Sequence, residues 1–297
     1  MTKKITNLLG IIITILAGTY FYITCCSECG MSSKKEVVAP VAHEPTSYPF
    51  AFDKNGFTYR TNNNFNFNSS SPDILLPVTQ DVQDGIARLK TFLAENSDKV
   101  VNITGYYKSD EENNSAFPNL GVARANTVKN YLVSKGIPSR LMSTFGALKD
   151  ELVPKENVYL GPLGYDLADM PEDTDDKLKE LHDRINSSPL ILNFNTAEAS
   201  INLSMEQRRK IADISTYLDK VEGSTVNIVG HTDNTGQRAK NIVLGQERAD
   251  FAKNYLMRNG IPESKISTSS KGSDEPIASN ETEEGRAQNR RTIITLN

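Results

Sequence analysis

VNIVGHTDNTG, Val226 to Gly236, and the stretch NIVLGQERADFAKNYLMR at Asn241 to Arg258 decide how this chain is read. Thr225 to Gly230 reads as a short strand, GHTDNTG as a polar turn, and the second stretch as a helix. Its apolar residues Leu244, Phe251, Ala252, Tyr255 and Leu256 form one core-facing stripe. Gly260-Ile261-Pro262 stops that helix, glycine at the exit and proline just beyond. Around this centre, Leu190 to Phe194, Lys265 to Ser269 and Thr292 to Leu296 read as strands. Met205 to Val221 reads as an amphipathic helix with Ile211, Ile214 and Leu218 on one face.

The phrase occurs twice. VNITG stands at Val101 to Gly105, 125 residues before VNIVG, and each copy runs on through Arg-Ala, KNYL and GIP. The first copy, from near Phe65, also reads as β-α-β-α-β: a helix at Asp81 to Leu93, a strand at Val100 to Gly105, a helix at Gly121 to Lys135 and a strand at Leu141 to Phe145. The expected fold class is therefore α/β, an α+β sandwich in which two helices cover one face of a mixed sheet. Two such domains are expected, at 63–163 and 189–297, joined by an acidic connector at 164–188 with a short helical stretch at Lys177 to Ile185.

Arg248 lies four residues from both Leu244 and Ala252, so a guanidinium points along an apolar stripe. An unpaired buried charge costs several kcal/mol, and Asp233, fifteen residues earlier at the mouth of a strand, is the nearest candidate partner. A plain Arg248–Asp233 pair holding strand to helix is the structural reading. The first copy argues against it, because Leu120, Arg124, Val128, Tyr131 and Leu132 align with Leu244, Arg248, Ala252, Tyr255 and Leu256. The arginine recurs, but Asp233 aligns with Lys108 or Ser109, and Asn241 with Phe117.

The run from Asn227 to Pro262, followed by KGSDEPIASNETEEGRAQNRRTIITL, resembles the C-terminal OmpA-like peptidoglycan-binding domain shared by OmpA, peptidoglycan-associated lipoprotein and flagellar stator proteins. The motifs are GHTD, then Asn, then Leu-x-x-x-Arg-Ala, then Asn-Arg-Arg, and the similarity spans Pro189 to Asn297. The resemblance implies a β-α-β-α-β fold and noncovalent binding of the peptide stem of peptidoglycan. It implies that Asp233 takes the ammonium of a diamino acid and Arg248 its carboxylate, a fork geometry suited to carboxylates. Thr232, Asn241 and Leu244 match pocket-lining positions. Asn289, Arg290 and Arg291 match the Asn-Arg-Arg segment near the pocket, although arginines before a last strand are often simply solvated. Leu244-Gly245 departs from the usual Leu-Ser, a change expected to loosen the turn while removing no charge. The first copy then reads as a degenerate OmpA-like domain kept for spacing or protein contacts.

Ahead of both copies, Lys3 and Lys4 precede an apolar run from Leu8 to Ile23. Its length and flanks favour a transmembrane anchor at 1–26 over a cleaved signal, with both domains in the periplasm; an inner-membrane anchor is expected, an outer-membrane site being the other option. Cys25, Cys26 and Cys29 lie at its outer end. Cys26 lacks the small residue a lipobox wants before it, and CCSEC has too few ligands for a closed metal site. Residues 27–62 read as a flexible spacer, which if extended would reach on the order of 100 Å at ~3.1 Å per residue. A formal charge of −4 without long single-sign blocks gives nucleic acid no footing. His231 and Asp233 have no third ligand or nucleophile elbow beside them, and His43 and His182 lie in the spacer and connector, so neither enzyme, metal nor cofactor is expected. The expected function is a tether of the envelope membrane to the peptidoglycan wall. The alternative is an envelope scaffold in which 63–163 binds a protein partner and wall binding is secondary.

Overall fold

The computed structural model describes residues 3–26, 44–172, 174–194 and 203–297, and the chain divides into two units, 1–43 and 44–297. In the first unit α1 spans Lys3–Phe21 and ends in a π-helical turn, Tyr22–Cys26. Among the described residues no helix is long and apolar enough to cross a membrane. The expected transmembrane helix is therefore not supported: an apolar run from Leu8 to Ile23 spans about 24 Å at 1.5 Å per residue, short of the ~30 Å hydrocarbon layer. Cys29, His43 and the spacer expected at 27–43 lie outside the described residues.

The second unit opens on the hairpin β1 (Phe50–Lys54) and β2 (Phe57–Thr61), followed by β3 (Phe67–Asn68), α2 (Gln80–Glu95), β4 (Lys99–Tyr107) and α3 (Leu120–Ser134). Then come β5 (Met142–Leu148), β6 (Val158–Tyr159), β7 (Leu163–Asp169), α4 (Thr174–Ser187), β8 (Leu190–Asn193) and α5 (Met205–Lys220). The chain finishes with β9 (Val226–His231), α6 (Arg238–Arg258), β10 (Ile266–Gly272), α7 (Glu283–Asn289) and β11 (Arg291–Leu296).

Both halves place the repeated phrase on a central strand. β4 pairs in parallel with β5 and antiparallel with β7; β9 pairs in parallel with β10 and antiparallel with β11, which carries β8 on its far side. Val101 and Ile103, like Val226 and Ile228, point into the cores, against Val128 and Leu132 in one half and Ala252 and Leu256 in the other. The GIP phrases close α3 and α6 alike. Gly136 and Gly260 take φ of 91° and 90°, while Ile137 and Ile261 donate back to Leu132 and Leu256.

Two boundaries expected from sequence are corrected. Residues 50–61 are the β1–β2 hairpin, with Phe50, Phe52 and Phe57 buried in the first core, rather than spacer. Residues 164–169 belong to β7, the antiparallel partner of β4, rather than to a connector. Each carries only a short alternation, Phe50/Phe52 and Phe57/Tyr59 in the hairpin and Leu163/Tyr165/Leu167 in β7, which becomes a core face where these strands pack with α2 and β4.

The two halves are not separate beads, since residues 44–297 form one compact unit with two main cores. Ala116, from the loop before α3, packs into the second core, and its N–H donates to Asn259 Oδ1 at 2.8 Å. Buried Lys129 pairs with Asp219. Lys220 donates to Arg140 O at 2.9 Å and Met142 O at 2.7 Å, and burial lowers its ammonium to a pKa of about 8.

Strand and helix meet at glycines in both halves. A Cβ on Gly105 would come within 2.0 Å of Gly121 O, and one on Gly230 within 1.8 Å of Gly245 O. Gly245 thus closes a backbone contact instead of loosening the turn, and a Cβ there would lie 2.3 Å from Ser270 Oγ. Gly230→Ala should lower stability by about 2–3 kcal/mol through overpacking, measured by urea unfolding of the full chain; a change within experimental error would show that the contact yields.

Candidate ligand-binding site

The turn after β9 and the first three turns of α6 bring Thr232, Asp233, Asn241 and Arg248 to one end of the second sheet. Gly230 lets α6 approach closely enough that Arg248, only 1% exposed, reaches back over the strand end and donates from Nη1 to His231 O at 3.2 Å. Its guanidinium lies 5.5 Å from the centroid of the Phe194 ring. Asn241 Nδ2 and Thr232 Oγ1 both donate to Asp233 O, at 3.2 and 2.8 Å, pinning the turn. Leu244, one turn before Arg248, is half-buried.

Asp233 does not pair with Arg248. Its Oδ2 accepts from Arg290 Nη1 at 2.9 Å and its Oδ1 from the Thr235 N–H at 2.9 Å, while Arg290 Nη2 also reaches Glu283 Oε1 at 2.8 Å. The plain Arg248–Asp233 pair is overturned, and so is the picture of solvated arginines. Arg290 and Arg291 are 8% and 2% exposed, because α7 and its preceding loop cover the start of β11. Arg291 instead points to Asn289 O and Glu275 O, at 3.5 and 3.2 Å, and is not brought to Asp233.

Burial pushes the Asp233 carboxyl up, but hydrogen bonds from Arg290 and Thr235 outweigh it and hold the group below its ordinary value. Burial pulls Arg248 down, partly offset by Asp233 and reinforced by Arg290. Both carboxylates of the cluster, Asp233 and the more exposed Glu283, are paired with Arg290. Among the described residues no carboxylate hydrogen-bonds Arg248, and its Nε is buried without a partner. Such a group wants an anion that none of the described residues supplies.

The first half answers the same demand internally. Arg124, fully buried, donates to Tyr106 O at 2.8 Å, as Arg248 does to His231 O, and sits over Phe67 at 5.6 Å, as Arg248 does over Phe194. It also forms a two-pronged pair with Glu111, Nη1 to Oε2 at 3.1 Å and Nη2 to Oε1 at 2.5 Å.

Sequence reasoning missed Phe194, Glu283 and Glu111. A second repeat could have pointed to the first: Asn-Phe-Asn occurs at 64–66, 66–68 and 193–195, and the phenylalanines of the last two, Phe67 and Phe194, lie under the arginines. Glu283 and Glu111 carry no comparable signal. Among the described residues no group of three or more His, Cys, Asp or Glu side chains could hold a metal ion.

Residues 194–290 match the OmpA family model, and this segment is an OmpA-like domain. The chain is 39% identical over 98 residues to the probable lipoprotein YiaD of Escherichia coli K12, a match covering 33% of this chain and 45% of that protein. It is 40% identical over 103 residues to the peptidoglycan-binding protein ArfA of Mycobacterium tuberculosis, covering 35% of this chain and 31% of that protein. Among solved structures it is similar to the C-terminal domain of Helicobacter pylori MotB, with 29% identity and a TM-score of 0.32, over 37% of this chain and 84% of that one. The chain spans less than half the length of these two curated relatives.

His231 lies on β9 beside this site, 2% exposed, and burial followed by the charge of Arg291 lowers its pKa to about 4 from 6.5. The unfolded chain therefore takes up a proton here before the folded one does. The stability this histidine contributes is complete above pH 6.5 and is lost as pH falls towards 4. Urea midpoints measured from pH 7 to pH 4.5 should drop, and His231→Gln should flatten that drop; an equal slope in the variant would refute the assignment.

Proposed function

We propose that this protein binds the peptide stem of peptidoglycan noncovalently, holding a diamino acid zwitterion with Asp233 and Arg248, and so tethers the envelope membrane to the wall. The observation that carries this reading is that among the described residues no carboxylate pairs with the Arg248 guanidinium, whereas its counterpart Arg124 is neutralised by Glu111. A ligand carboxylate completes Arg248 through paired hydrogen bonds. Asp233 stays ionised at neutral pH and retains lone pairs beyond those used by Thr235 and Arg290, so it accepts a ligand ammonium.

Thr232 and Asn241 act on the ligand indirectly by holding the Asp233 backbone, and Leu244 gives the pocket an apolar wall. Arg290 keeps Asp233 charged and oriented, while Arg291 ties down the loop ahead of α7. The similarity to a protein named for peptidoglycan binding supports this assignment. No step of the reading requires a metal, a cofactor or catalysis.

In this reading the N-terminal unit provides membrane attachment and both halves work in the periplasm. Ile12, Ile13, Ile15, Leu16, Phe21 and Ile23 all expose apolar surface that lipid would cover. Mass spectrometry of the mature N-terminus separates a retained anchor from a lipidated cysteine and from a cleaved signal. The first half, its arginine already satisfied, serves as a spacer or a protein contact.

Full-length protein should co-sediment with purified sacculi, and Asp233→Ala or Arg248→Ala should weaken binding by about tenfold or more, the scale of a lost hydrogen bond to a charged group. Circular dichroism should show both variants folded. Folded variants that stay on sacculi would sink the proposal and favour the scaffold reading, in which the wall is incidental.

A further inference from the structure

Glu111 is held in a manner unusual for a simple ion pair. Its Oε1 accepts from the Ser70 N–H at 3.0 Å and from Arg124 Nη2, and its Oε2 accepts from the Lys108 N–H at 3.0 Å and from Arg124 Nη1. Four donors thus surround one carboxylate, two of them backbone amides. The side chains of Arg124 and Glu111 are 0% and 1% exposed. All five N–H groups of Arg124 are used, since Nε donates to Ser71 O and Nη2 also to Asn68 O. Glu111 itself sits in the turn after β4, so the carboxylate arrives on a loop and not from a neighbouring element of the core.

We propose that Glu111 is a built-in ligand: the first half retains a formed carboxylate-binding cradle, and its own chain fills it. The cradle's parts belong to the fold rather than to Glu111. The arginine is placed by the Gly105–Gly121 contact, by the Tyr106 carbonyl and by the rings of Phe67 and Tyr159. The same frame holds Arg248 through the Gly230–Gly245 contact, the His231 carbonyl and Phe194. In register, the Lys108 amide corresponds to that of Asp233. What differs is the loop: Thr232 to Gln237 carries no glutamate, and its one aspartate is taken by Arg290.

The ligand class for this cradle is an alkyl carboxylate presented edge-on to a guanidinium, with backbone amides at its flanks. Because Glu111 fills it, the first half does not compete for the ligand of the second. The inference shares with the proposed function the equivalence of Arg124 and Arg248, but it is tested in the first half with Asp233 and Arg248 intact. Its failure is therefore separable from failure to bind sacculi.

Glu111→Ala leaves a carboxylate-sized hole facing a buried guanidinium. In the full-length protein, sodium formate should raise the thermal midpoint of this variant saturably, by roughly 3 °C or more over sodium chloride at equal ionic strength. The quantity read is the gain beyond that of wild type, so formate taken up at Arg248 cancels. Glu111→Gln, whose amide still fills the hole, should gain no more than wild type, and the double variant Glu111→Ala with Arg124→Met should lose the response. If Glu111→Ala does not fold in chloride, the native yield on refolding from urea in formate replaces the midpoint, and a formate-specific gain supports the proposal. It is overturned if formate does no better than chloride, if wild type gains as much, or if the double variant still responds; the cradle would then be a strut that exists only while Glu111 completes it.

Discussion

A guanidinium buried along the apolar stripe of a helix must be neutralised, and the two halves of this protein meet that requirement differently. Taking a cation out of water costs several kcal/mol unless acceptors surround it. Arg124 finds three carbonyls and a carboxylate within its own half. Arg248 is as deeply buried, yet among the described residues its hydrogen bonding stops at one carbonyl. Among the described residues the second half therefore supplies Arg248 with no carboxylate, and that difference from the first half is the basis of the binding proposal.

The arginines are where they are because of glycines. Helix and strand backbones touch at Gly105 with Gly121 and at Gly230 with Gly245, close enough that no other residue fits at the strand positions without movement. One helical turn beyond each helical glycine, the arginine side chain is then short of solvent and level with the carbonyl that follows the strand glycine, Tyr106 or His231. The loop that follows the strand decides what the arginine meets. In the first half it delivers Glu111 inward and, further on, sends Ala116 into the neighbouring core. In the second half it turns Asp233 towards α7 and β11.

That turn organises charge over a longer range. Glu283, Arg290 and Asp233 form a chain from the exposed start of α7 to the buried mouth of β9. Its effect is to keep Asp233 ionised in a site whose burial would otherwise favour the protonated acid. Arg291, adjacent in sequence and the first residue of β11, instead fastens the loop at Glu275. The junction between α7, which Arg290 caps, and β11, which Arg291 begins, thereby assigns two neighbouring arginines to different tasks.

The repeat, the helical stripes and the GIP stops were legible in the sequence because they are local: periodicity, a glycine at positive φ and a following proline act within a few residues. The same locality marked Asp233 and Arg248 as the charged groups to watch, and the absence of that aspartate from the first copy separated the two halves. Which charges pair was not legible, since Arg290 lies 57 residues from Asp233 and reaches it only because β11 is inserted beside β9. The hairpin at 50–61, the strand at 163–169 and the interlock of the halves were hidden for the same reason, as their apolar residues gain a partner only across the folded chain. The sequence by itself determined the repeated strand and helix framework and the arginine on each stripe. Only the tertiary structure decided that Arg124 is satisfied by Glu111 while Arg248 meets no carboxylate among the described residues, because neutralising a buried charge depends on what distant chain segments bring within hydrogen-bonding distance.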